Sequence, residues 1–124
     1  MFLLAALVLS ALLPAACGSG RAYDRAARNL RAAGYSVGLQ VAEAPDEDGV
    51  VATIEARKTT DDGMEVVRAV FYKDEESAAA DRETRQTIFA AAAKSERNAV
   101  STITFGFDKT VAYSGTENAI QAMQ

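Results

Sequence analysis

Histidine and tryptophan are missing from this chain of 124 residues, cysteine occurs once and proline twice. Without histidine there is no Ser-His-Asp triad, no Cys-His pair and no imidazole ligand for zinc. The lone cysteine, Cys17, has no partner for an intrachain disulfide, so everything downstream of it must be held together by packing. Dinucleotide and phosphate loops of the G-x-G-x-x-G or Gly-Lys-Ser/Thr kind are absent, as is the S-x-x-K spacing of lysine-activated serine nucleophiles. No cofactor and no metal is expected, and the chain does not read as an enzyme. With 13 basic and 17 acidic residues interspersed, the net charge of -4 argues against nucleic acid as a partner.

What the chain does have is an apolar run from Phe2 to Leu13, followed by Pro14, Ala15, Ala16, Cys17 and the spacer Gly18-Ser19-Gly20. The run has the length of a signal-peptide core and ends in small residues. It is too short to span a bilayer, which takes about 20 apolar residues. Ala15, Ala16 and Cys17 resemble the lipobox of bacterial lipoproteins, although Pro14 holds the position of the usual branched aliphatic residue and Leu13 lies one place earlier. The resemblance implies that Cys17 becomes the lipid-modified first residue of an exported chain, anchored to the outer face of a bacterial membrane. The alternative is an ordinary secretory signal and a soluble product. Residues 1–16 are then the signal, 17–20 the attachment cysteine and tether, and 21–124 one small domain with a single modest core.

Within that domain Tyr23, Ala26, Ala27, Leu30 and Ala33 recur at helical spacing over Ala22 to Ala33, and Gly34 supplies a stop. The period then changes to two: Tyr35, Val37, Leu39 and Val41 alternate with polar residues and predict a strand. A polar turn from Glu43 to Gly49 leads to a second strand with Val50, Ala52, Ile54 and Ala56 on one face, and Thr59 to Gly63 turns into a third, Met64 to Tyr72. Asp74 is placed to cap a long helix from about Glu75 to Lys94. Thr102 to Phe107 and Thr110 to Tyr113 form a second hairpin. Ser114 to Glu117 has the S-x-x-E shape of a capping box before a short terminal helix.

The order α-β-β-β-α-β-β-α predicts an α+β domain of two layers, an antiparallel sheet of about five strands with helices on one face. Ile54, Val67, Ala69, Phe71, Phe89, Phe105, Phe107, Val111 and Tyr113 are its expected core. The place of the second hairpin in the sheet stays open.

Two arginine groups stand out. Arg21, Arg25, Arg28 and Arg31 form one stripe on the first helix, only three residues from Cys17. Three extended residues reach on the order of 10 Å, so an anchored Cys17 would keep the stripe beside the lipid headgroups. The stripe is a candidate membrane-facing surface, and equally the solvated face of an amphipathic helix. Arg82 and Arg85 fall on the same side of the long helix as Ala78, Phe89 and Ala92. They are candidate anion ligands, or rim residues with buried stems and wet charges.

The expected function is a membrane-anchored, non-catalytic binding or interaction module of the cell envelope, facing an envelope protein or a peptidoglycan component. The alternatives are a small envelope enzyme working through carboxylates, which needs a pocket with close acidic side chains, and a structural or inhibitory accessory protein secreted without lipidation. The last would show an exposed apolar patch or an unpaired sheet edge.

Overall fold

The computed structural model describes residues 21–95 and 102–124, so the signal segment, Cys17 and the tether lie outside the described residues. Helix α1 spans Ala22–Ala32 and buries Tyr23, Ala26, Ala27 and Leu30, as its spacing predicts. Gly34 takes φ +93°, and the Tyr35 N–H closes back on the Leu30 carbonyl at 3.0 Å, which ends the helix and releases the chain into a strand.

Strands β1 (Ser36–Val41), β2 (Val50–Thr60) and β3 (Gly63–Tyr72) follow as an antiparallel meander. The turn before β2 is held by Asp46, whose Oδ1 accepts the N–H groups of Asp48 (2.8 Å) and Val50 (3.0 Å). Helix α2 spans Glu75–Ser95 and carries the expected cap, Asp74 Oδ1 accepting the Ser77 N–H at 2.8 Å. That bond holds the Asp74 carboxyl below its ordinary range. Strands β4 (Thr104–Asp108) and β5 (Val111–Gly115) and helix α3 (Glu117–Met123) complete the chain.

The sheet order is β1-β2-β3-β5-β4, so the second hairpin docks through β5 against β3. Of the expected core, Ile54, Val67, Ala69, Phe71 and Phe89 are buried, while Phe105, Phe107, Val111 and Tyr113 are half-buried around the second hairpin.

The helices divide between the two faces instead of sharing one. Helices α1 and α3 cover the face that carries Ala52, Ile54, Ala56, Val67, Ala69 and Phe71. Helix α2 crosses the opposite face, where Ala78 and Phe89 meet Val50, Val70, Tyr72 and Ala112. The reason lies in β3, which is apolar on both sides from Val66 to Tyr72 except at Arg68. A strand with two apolar faces is stable only when both are covered.

The S-x-x-E spacing is not used as a capping box. Strand β5 continues through Gly115, so Ser114 is buried in the sheet between Arg68 and Phe105. Thr116 stands at the N-cap, but its hydroxyl turns to the neighbouring strand, accepting the Val66 N–H at 3.2 Å and donating to the Val66 carbonyl at 3.3 Å. Gly115 permits this approach, since a Cβ there would come within 2.4 Å of the Val66 carbonyl oxygen.

Candidate functional site

Helix α2 has few apolar residues to offer the sheet, and Tyr72, Asp81 and Arg85 make up the difference with a network. The Tyr72 hydroxyl, on a side chain only 4% exposed, donates to Asp81 Oδ2 at 2.5 Å. Arg85 donates to the same oxygen from Nη2 (2.9 Å) and Nε (3.2 Å), and Nε also lies 3.3 Å from the Tyr72 hydroxyl. Buried charges persist where each partner is hydrogen-bonded, and this set meets that condition.

Burial, reinforced by the bond to Asp81, pushes the Tyr72 hydroxyl up to about 12. An unfolded tyrosine titrates near 10. The folded state therefore holds this proton more tightly, and the stabilisation is complete below about pH 10 and lost as pH rises through about 12. Tyr72→Phe removes the group, so the stability gap between wild type and variant is expected to narrow between pH 10 and 12. Urea midpoints of the two proteins across that range check it. A constant gap contradicts the network.

Beside α2, the half of this face formed by β1 and β2 has no helix over it among the described residues. Gly38, Glu55 and Arg68 form one row across the strands and Gln40, Thr53 and Val70 the next. Together with Arg85, Ile88, Phe89 and Ala92 on α2 they line a groove of about 480 Å³. Arg68 Nε donates to Glu55 Oε2 at 3.1 Å across the floor. Ile88, 47% exposed, stands on the wall. The groove thus offers a polar, hydrogen-bonding floor and an apolar side.

Arg21 at the N-cap of α1 and Arg25, Arg28 and Arg31 within it are all exposed, Arg25 beside a hollow that it lines with Phe71 and Tyr113. Arg21 Nη1 donates to the Tyr23 hydroxyl at 2.6 Å, at the start of the stripe. Arg82 and Arg85 are engaged by different partners: the Arg82 guanidinium lies 4.8 Å from the centroid of the Phe107 ring, while Arg85 belongs to the Tyr72 network. Asp81 is the member that sequence reasoning missed. Its position four residues before Arg85 was the available signal.

A smaller hollow is lined by Glu47, Asp48, Asp74, Glu76 and Asp81. Asp74 caps α2 with its carboxyl lowered by the Ser77 N–H, and Asp81 is held by Tyr72 and Arg85. Among the described residues no group of three or more His, Cys, Asp or Glu side chains could hold a metal ion. No helix among them is long and apolar enough to cross a membrane. No family model, curated protein or solved structure matches this chain.

Proposed function

We propose that the chain is an exported lipoprotein, anchored through Cys17, whose domain is a non-catalytic binding module for an extended segment of another envelope protein. The groove between α2 and the β1–β3 half of the sheet is the observation that carries this reading. Gln40, Thr53 and the Glu55–Arg68 pair supply the donors and acceptors that a polypeptide backbone needs, and Ile88 supplies an apolar contact. A peptide suits the groove better than a sugar of the cell wall, because its one aromatic ring, Phe89, is only 3% exposed and offers no stacking face.

The arginine face of α1 supports the anchored part of the reading. Basic side chains near an anionic surface gain about 1 kcal/mol each, and only within a Debye length of it. A tether of three residues keeps Arg21 in that range, and α1 lying along the surface brings in Arg31, about 15 Å further on. The stripe then orients the domain, with α1 towards the bilayer and the groove on the opposite face of the sheet.

Membrane fractionation tests the anchor. Wild type is expected to stay with washed membranes and Cys17→Ala to be released, since two or more acyl chains give durable attachment that a basic face alone does not. Retention of Cys17→Ala in the washed membranes contradicts the lipoprotein reading.

A further inference from the structure

Strand β1 ends the sheet on its side among the described residues. From Ser36 to Val41 it carries neither charge nor proline, the devices that usually keep an edge from pairing. The Ala42 N–H donates to the Val51 carbonyl at 2.9 Å. Bonded and non-bonded pairs alternate along an antiparallel ladder, so the even-numbered residues of β1 direct their backbone groups to β2. Val37, Leu39 and Val41 direct theirs to the open edge.

We propose that this edge pairs with the same edge of a second copy, antiparallel and centred on Leu39, joining two five-stranded sheets into one. In that register Leu39 faces the partner's Leu39 and Val37 faces the partner's Val41, so every outward N–H and C=O finds its counterpart. A slip of one residue would set outward groups against ones already bonded to β2 and apolar side chains against polar ones. The pairing also covers Val41, which is 48% exposed in the single chain.

Charge agrees with this register. Tyr35 falls opposite the partner's Glu43, and the Lys58 ammonium sits 5.5 Å from the Tyr35 ring centroid, on the same face of the sheet. Each end of the ladder brings Glu43, just beyond β1, towards Lys58 of the other copy, whose ammonium also donates to its own Ala33 carbonyl at 2.7 Å and whose cross-strand neighbour is Glu65.

The two-fold axis of such a pair stands normal to the sheet, so like faces of the two copies look the same way. Both arginine faces then point to one side, as two anchors in one bilayer require. That consequence rests on the lipoprotein reading; the pairing itself does not. On the other face, the partner's Gln40 stands opposite Gly38, whose missing side chain leaves the groove open there. The second copy closes that side of the groove.

Disulfide trapping in native membranes tests the pairing. Opposed residues of a bonded antiparallel pair have Cα atoms about 5.5 Å apart, inside the range of about 4.4–6.8 Å that a disulfide accepts. The full-length Leu39→Cys protein is expected to oxidise to a covalent dimer, and Asp61→Cys, in the β2–β3 turn, to stay monomeric. Adding Val41→Lys, at a position exposed enough to leave the fold intact, is expected to cut the Leu39→Cys dimer at least tenfold. Yield is read in whichever fraction holds the protein and is repeated in a Cys17→Ser background, which removes any dimer formed through Cys17, so a failure of anchoring leaves this test intact. Equal yields from Leu39→Cys and Asp61→Cys, or a yield unmoved by Val41→Lys, overturn the pairing.

Discussion

Replacing Asp81 with alanine is expected to lower the unfolding free energy by about 3 kcal/mol, the usual scale for removing one partner of a buried ion pair. Asp81 and Arg85 are 9% and 18% exposed at their side chains, so the stranded guanidinium has little water to turn to. The Tyr72 hydroxyl loses its acceptor in the same step. For a domain of this size 1 kcal/mol moves the melting temperature by roughly 4–8 °C, so a drop of more than about 10 °C is expected. Removing the charge as well, in Asp81→Ala with Arg85→Leu, should recover a large part of the loss, because an apolar pair can replace a buried ion pair at little cost. Urea unfolding of the single and double variants reads both numbers. A single variant as stable as wild type contradicts the network.

Leu30→Ala is expected to cost about 3 kcal/mol as well, by a different route. Leu30 is fully buried and sits where α1 meets the sheet, in the core cluster with Ile54 and Val67. Truncating such a side chain loses its transfer free energy and leaves a cavity that the neighbours fill only in part. Helix α1 also bonds to the far end of the chain, Asn29 Nδ2 donating to the Met123 carbonyl at 3.2 Å, so loosening it loosens α3. Calorimetry should show a single transition at lower temperature. An unchanged transition would mean that α1 is an appendage, and the arginine stripe would then orient nothing.

The elements whose burial has one clear period were legible from the residues. Tyr23 to Leu30 on α1 and Ala52, Ile54 and Ala56 on β2 repeat at 3.6 and 2, and they fold accordingly. The divided faces were harder to read, though β3 held the clue: Val66, Val67, Ala69, Val70, Phe71 and Tyr72 form a nearly continuous apolar run, the pattern of a strand covered on both sides. Helix α2 misled because its packing face is only partly apolar. Arg85 looked like a flaw in that face, whereas Tyr72 and Asp81 complete it from positions 13 and 4 residues away. Such a network depends on which strand the helix crosses, and local periodicity does not contain that information. The groove was invisible for the same reason, since it exists only once β1 takes the edge and α2 covers the other half of the sheet.

The most direct test of the binding role is photocrosslinking from the groove wall. A photoreactive residue replaces Ile88, which is exposed and contributes nothing to either buried cluster, and the lipidated protein is irradiated in native membranes beside a control labelled at Asp61. Position 88 is expected to give an adduct with a peptide segment of an envelope protein, and Thr53→Arg, which fills the groove from its floor, is expected to abolish it. An adduct at position 88 no stronger than at position 61, or one that survives Thr53→Arg, contradicts a binding role for the groove.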